Sequence, residues 1–239
     1  MNIDLFIPCI VDQFFPQVGI NTYKILKKVG CNVDYPFEQT CCGQPAFNTG
    51  YRKDAEYLAK KFINIFSKSD YVIAPSGSCV SMVKIFYDRL ELPSDYQSKL
   101  AELKGKIFEL SEFLVDILKI SDVGAKFSGK ITYHESCHLL RKLKIARQPR
   151  ILINNVKGVE FVELNESDRC CGFGGTFSVK FPELSTVLTS DKIKNIEESG
   201  AQYVVANDSS CLMNVEGVLR RKGSNIRTMH IADLLASGI

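Results

Sequence analysis

A tripeptide that occurs twice sets the terms for this chain. Cys41-Cys42-Gly43 returns as Cys170-Cys171-Gly172, and each pair has one cysteine far upstream and one far downstream. The two sets are Cys9, Cys41, Cys42, Cys79 and Cys137, Cys170, Cys171, Cys211, separated by 31 and 36 residues in the first and by 32 and 39 in the second. Only Cys31 of the nine cysteines stands outside the quartets, and it reads as a packed thiol. The flanking segments repeat as well. Ile3 to Cys9 and Lys130 to Cys137 are apolar segments running into a cysteine, Tyr71 to Cys79 parallels Tyr203 to Cys211, and Glu109 to Leu114 echoes His230 to Leu235. A long internal period is read before any local motif, because it dictates the architecture. It predicts an α/β fold of two similar lobes related by internal duplication, each a small, mostly parallel sheet flanked by helices. The lobes are expected at residues 1–120 and 130–239, packed about a pseudo-two-fold axis.

The local pattern supplies the pieces. Short apolar runs end just before Cys9, Cys79, Cys137 and Cys211, placing those cysteines beyond the carboxyl ends of strands, where open α/β sheets bind ligands. Val18, Thr22, Ile25 and Leu26 recur at helical spacing up to Gly30, and Ala55, Leu58, Ala59, Phe62, Ile63 and Phe66 mark an amphipathic helix. Leu184, Val187, Leu188, Ile193 and Ile196 suggest a looser one, and residues 91–107 read as a surface loop or short helix.

Composition narrows the classes. With 45% hydrophobic residues in 239, the chain can bury a large core, and a net charge of +3 without a dense basic tract argues against nucleic-acid binding. No run approaches the roughly 20 apolar residues of a membrane span, and the start lacks a signal-peptide pattern, so a cytoplasmic protein is expected. In a reducing compartment, ordered cysteines point to metal or redox chemistry and away from disulfides.

Three distant segments supply each quartet, so folding must assemble the sites. Zinc ribbons use close C-x-x-C pairs, which are absent here. Adjacent cysteines diverge around one tetrahedral ion, but they can ligate different irons of a cluster. The glycine after each pair removes a Cβ where backbone approaches the site, and its N–H can bond to sulfur. The eight quartet cysteines are therefore the expected ligands of one or two iron-sulfur clusters, with zinc or metal-free thiol redox chemistry as alternatives. His134, Glu135 and His138 surround Cys137 and are expected to hydrogen-bond around the site, and no catalytic residue is assigned. His230 is expected to be structural or exposed. Gly172, Gly174 and Gly175 lack the Lys-Ser/Thr of a phosphate loop.

Cys9, Cys41-Cys42-Gly43-Gln44-Pro45, Pro75-Ser76-Gly77-Ser78-Cys79, His134-Glu135-Ser136-Cys137-His138, Cys170 to Phe177 and Asp208-Ser209-Ser210-Cys211-Leu212 resemble the cysteine-rich CCG domain. The whole chain resembles the lactate utilisation protein A family, small iron-sulfur oxidoreductase subunits built of two such domains. Related domains occur in the iron-sulfur subunits of glycolate oxidase and in heterodisulfide reductase. The resemblance implies 4Fe-4S clusters, with zinc a possible substitute, and a role in oxidising L-lactate to pyruvate with a ferredoxin-like iron-sulfur subunit and a third subunit. No flavin or nicotinamide motif is visible, so the chain is expected to pass electrons as a subunit of an L-lactate dehydrogenase-type complex. One departure stands out. The heterodisulfide reductase type ends each motif in C-x-x-C, whereas Met82 and Asn214 occupy those positions here, which argues against its non-cubane cluster.

Overall fold

The structure, a computed structural model, describes residues 1–239. In the first half it runs β1 (Asn2–Leu5), α1 (Cys9–Phe14), α2 (Pro16–Lys28), β2 (Asn32–Asp34), α3 (Gln44–Thr49), α4 (Arg52–Phe66), β3 (Val72–Ala74), α5 (Gly77–Ser81), α6 (Ser94–Lys104), β4 (Ile107–Glu109) and α7 (Leu110–Glu112). The second half runs β5 (Lys126–Tyr133), α8 (Cys137–Arg141), α9 (Arg147–Asn154), β6 (Lys157–Val162), α10 (Phe177–Lys180), α11 (Pro182–Glu198), β7 (Tyr203–Ala206), α12 (Ser209–Arg221), β8 (Arg227–His230) and α13 (Ile231–Leu235). The strands form two four-stranded parallel sheets of order β2-β1-β3-β4 and β6-β5-β7-β8. Equivalent strands hold equivalent places, so the duplicated α/β architecture expected from the repeat is the one observed.

Each sheet has an edge strand that local pattern did not announce. Ile107-Phe108-Glu109 pairs with Val72-Ile73-Ala74, and Arg227 to His230 pairs with Tyr203 to Ala206. These segments are too short for alternation to be read, and it is the neighbouring strand that makes them extended. Residues 91–107 contain α6, seated on the core by Leu100 and Leu103. The expectation for α11 is overturned in its first half: Leu184 and Val187 are 57% and 59% exposed, while Thr189 and Lys192 are fully buried. That helix turns its polar residues inward because it ties down a cysteine loop, as described below.

The lobes are not separate bodies. Their main core is common to both, joining Ile3, Leu5, Ile25, Leu26, Leu110 and Phe113 to Ile131, Tyr133, Leu152, Ile153 and Ile231. Each half sends its last helix to the other. α13 packs on α2, where Asn21 Nδ2 donates to Asp233 Oδ1 at 2.9 Å, and α7 with the π-helical turn Phe113–Ile117 packs on α9. The outer faces have their own cores. In the first lobe, Phe6 meets Phe62 and Phe66 edge-on at 4.8 and 5.7 Å beneath α4; in the second, Leu164, Ile193, Ile196, Val204 and Leu219 form a smaller cluster. Full burial of each such side chain is worth about 1.5–3 kcal/mol.

Two contacts set how closely the lobes approach. α5 crosses α8 at Gly77, where a Cβ would lie 2.7 Å from Leu139 Cβ and 2.6 Å from its Cδ1. Deeper in, Asn207 Nδ2 donates to Glu109 Oε1 at 2.9 Å and Ser111 Oγ at 2.7 Å, and Tyr133 Oη donates to Asn207 Oδ1 at 2.8 Å. Glu109 also caps α7 through the N–H groups of Ser111 and Glu112. At the matching place His230 caps α13, its Nδ1 accepting from Ala232 N and its Nε2–H donating to Asn207 O. His230 is thus structural and buried.

Candidate metal centre

Both sheets change direction of construction between their first and third strands, and the residues after those strands flank that switch point. Cys9 opens α1 after β1, and Cys79 is the third residue of α5 after β3. Cys137 opens α8 after β5, and Cys211 is the third residue of α12 after β7. The Cys-Cys-Gly turns come up beside them from the loops before α3 and α10. Because the carboxyl edges of the two sheets face one another, all eight quartet cysteines line a single cavity of about 110 Å³ between the lobes. That is well below the roughly 300–1,000 Å³ of a pocket for a drug-sized molecule, so the space suits a compact group. Cys31 is buried in the shared core, away from the cavity.

Within the first quartet Cys9 Sγ lies 3.7 Å from Cys41 Sγ. Cys41 is the natural thiolate: thiol hydrogen bonds from Cys42 and Cys9, with the Gly43 N–H, bring it down to about 3. The same contacts push Cys9 and Cys42 up, reinforced by burial. In the second quartet the Cys171 contact and burial push Cys170 up. Cys171 is drawn down by Cys170, but Cys211 and burial outweigh this and hold it high. Four thiolates so close, with no cation among them, cannot all be ionised. A bound cation is what makes the full set of thiolates available.

The turns are held by different means in the two lobes. Gly43 and Gly172 share a left-handed backbone, φ 84° and 80°, that aims their N–H groups at Cys41 Sγ and Cys170 Sγ, each at 3.4 Å. The missing Cβ is needed on the side facing α11 and α4, not the cavity: at Gly172 it would meet Ser185 O at 2.6 Å and Thr189 Oγ1 at 2.7 Å, at Gly43 nothing nearer than Leu58 Cβ at 3.4 Å. The Cys42 carbonyl accepts from Tyr87 Oη at 2.9 Å. The Cys171 carbonyl accepts from Thr189 Oγ1 at 2.9 Å and Asn214 Nδ2 at 2.8 Å, and Lys192 Nζ donates to the Glu166 and Ser167 carbonyls at 2.7 and 3.1 Å. This accounts for the inward polar face of α11. Burial lowers the Lys192 ammonium to about 8.

Polar residues beside the cysteines complete the site. Asp208 Oδ1 accepts from Ser76 Oγ at 2.7 Å and Ser78 N at 3.1 Å, clamping the two lobes at the cavity floor. It opens the Asp208 to Leu212 motif, and an acid stands there where the first repeat has Ser76. Lys192 carried a signal too, a cation amid apolar spacing. Glu135, expected near the site, accepts from Arg150 Nη1 at 2.6 Å and Ser167 Oγ at 2.9 Å. His138 Nδ1 is 3.6 Å from Cys137 Sγ. His134 is buried with neither ring nitrogen in hydrogen-bond geometry, and burial together with nearby Lys192, against the pull of the Ser167 backbone, lowers it to about 3. Asp208 Oδ2, Ser136 Oγ and Ser209 Oγ are also buried and unpaired. Asp208, Ser136 and Ser209 line the cavity; an unmade hydrogen bond in a buried place costs about 1–3 kcal/mol, so three such groups on a sulfur-lined wall fit a polar or ionic occupant. Eight sulfur donors fit a soft metal or an iron-sulfur cluster.

The repeat matches a known family. The cysteine-rich domain family (CCG) matches residues 3–84 and 131–216. "Lactate utilization protein A" of Oceanobacillus iheyensis is 44% identical over 98% of this chain and 96% of its own length, and that of a Geobacillus species is 46% identical over 99% and 100%. A hypothetical protein from Helicobacter pylori shares the fold with a TM-score of 0.71 at 13% identity; the match covers all of this chain and about half (49%) of that one. No helix is long and apolar enough to cross a membrane.

Proposed function

The chain belongs to the lactate utilization protein A family and carries the cysteine-rich domain twice, and from that premise we propose that it is the iron-sulfur electron-transfer subunit of an L-lactate (2-hydroxy-acid) oxidising complex. What supports the reading is the convergence of eight sulfurs on one cavity between the lobes. Cys9, Cys41, Cys42 and Cys79 would hold one 4Fe-4S cluster and Cys137, Cys170, Cys171 and Cys211 a second, in units taken as residues 1–120 and 130–239. A cluster, when bound, supplies one-electron uptake and release. The chain's own residues prepare the place for it. The Gly43 and Gly172 N–H groups favour thiolate at Cys41 and Cys170, Ser76 and Asp208 hold the lobes together, and burial of Cys42, Cys79, Cys171 and Cys211 keeps water away. Oxidation of lactate to pyruvate releases two electrons and two protons. The hydride or its equivalent is taken by another subunit, and this chain passes electrons to or from a ferredoxin-like iron-sulfur partner.

Anaerobic purification tests the reading. We expect a brown protein with iron and acid-labile sulfide, one lobe's share lost in Cys41→Ser, the other in Cys170→Ser, and all of it in the double variant. With its partner subunits present, lactate should bleach the chromophore. A colourless, sulfide-free product after strict anaerobic reconstitution would refute it, and stoichiometric zinc without sulfide would assign a zinc-binding module instead.

A further inference from the structure

His134 is a buried group with no structural account. It directly follows β5, is 1% exposed, and neither ring nitrogen has a hydrogen-bond partner. His230 shows what a purely structural imidazole looks like in this fold, with one nitrogen accepting and the other donating. His134 instead faces sulfur: a ring nitrogen, Cys171 Sγ and Cys211 Sγ all lie within 4.8 Å of one another. A tetrahedral ion with bonds of about 2.0–2.1 Å to nitrogen and 2.3 Å to sulfur holds such donors roughly 3.5–3.8 Å apart. Side-chain adjustment of about 1 Å closes the group around a metal, and the same step gives the orphaned nitrogen its partner.

The internal repeat provides a control. Phe6 precedes Cys9 by the same three residues that separate His134 from Cys137, and it is fully buried against Phe62. At that position the first lobe spends the side chain on packing and the second offers a lone pair. Resting on the reading that the cavity holds metal, we propose that His134 is a metal ligand of the second lobe, joining Cys171 and Cys211, so that this lobe presents a mixed nitrogen–sulfur site where the first presents sulfur alone. Lys192, whose ammonium is fixed on the Glu166 and Ser167 carbonyls, stands nearby as a cation that offsets thiolate charge.

The test uses the full chain labelled with [15N]histidine and carrying Cys9→Ser and Cys41→Ser to silence the first lobe. It is loaded anaerobically with ferrous iron plus sulfide or, in a second arm, with cobalt(II) as a stand-in for zinc. Pulsed EPR of the dithionite-reduced iron-sulfide sample, or of the cobalt(II) sample, should detect nitrogen coupled to the metal. The coupling should vanish in His134→Phe and persist in His138→Gln, and cobalt affinity should fall at least tenfold in the first variant only. Circular dichroism checks that His134→Phe folds, as the matching Phe6 leads us to expect; should it not, His134→Ala with added imidazole replaces it, and the coupling should return with the imidazole. Metal bound without nitrogen coupling, or coupling and affinity unchanged in both His134 variants, overturns the assignment. Nitrogen coupling with cobalt but no iron-sulfide uptake would leave His134 a ligand and refute an iron-sulfur cluster in the second lobe. A cluster in the second lobe without nitrogen coupling would do the reverse, and a chain that binds neither metal overturns both readings of that lobe.

Discussion

The two lobes share a backbone plan and differ in what lines it. Around the first Cys-Cys-Gly turn stand Phe6, Phe62, Met82 and Tyr87, an apolar wall with one phenol reaching the Cys42 carbonyl. Around the second stand His134, Thr189, Lys192 and Asn214, most of them aimed at loop carbonyls. The first turn is thus held mainly by packing and the second by a hydrogen-bond network. Duplication preserved the placement of the sulfurs while their surroundings diverged, which is how one scaffold can present two centres of different character.

The glycines should show the contrast most strongly. Gly172→Ala combines a left-handed backbone with collisions on Ser185 O and Thr189 Oγ1, and we expect a loss of about 3 kcal/mol or more. Gly43→Ala carries the same backbone strain against ordinary contacts and should cost about 1–2 kcal/mol. Chemical denaturation of both variants measures the gap, and equal losses would break the comparison.

The lobe contact is next. Gly77→Ala drives a methyl into Leu139 and should cost about 2 kcal/mol. Ser209→Ala, the matching position, removes a buried hydroxyl that already lacks a partner and should stay within about 0.5 kcal/mol of the unsubstituted chain.

The two helix caps should titrate in opposite senses. Burial raises Glu109 to about 8, against hydrogen bonds from Asn207 and Ser111, so its contribution is complete below the ordinary 4.5 and is lost as pH climbs toward 8. Burial lowers His230 from 6.5, so its contribution is complete above that value and is lost as pH falls below it. In the metal-free chain, thermal midpoints from pH 5 to 8.5 should fall toward alkaline pH, a loss that Glu109→Gln flattens. His230→Gln should instead flatten the acid side.

Smallest is the effect of the carbonyl donors. Tyr87→Phe removes the hydroxyl seen on the Cys42 carbonyl and should cost about 1 kcal/mol, whereas Thr189→Val leaves Asn214 on the Cys171 carbonyl and should cost about half that. Reversal of that order would show that the first turn has a further donor.

Much of the site was legible because it is written in local pattern and repeat. A cysteine just past an apolar run is placed at the end of a strand, and the matched intervals tie each to its counterpart. The inward face of α11 was not legible, because burying Lys192 is worthwhile only where the Glu166 and Ser167 carbonyls, 26 and 25 residues earlier, are brought under it. Nor was the solitude of His134, since an unpartnered nitrogen is a property of everything that packs around it.

Residue order alone settled the duplication, the α/β alternation and the list of sulfurs, since each depends on spacing along the backbone and on side chains a few positions apart. Folding settled that both quartets open onto one cavity and that the second is bordered by an imidazole. Those outcomes depend on how two sheet edges face each other across the shared core, and that follows from contacts such as Gly77 on Leu139 and α13 on α2, between residues far apart in the chain.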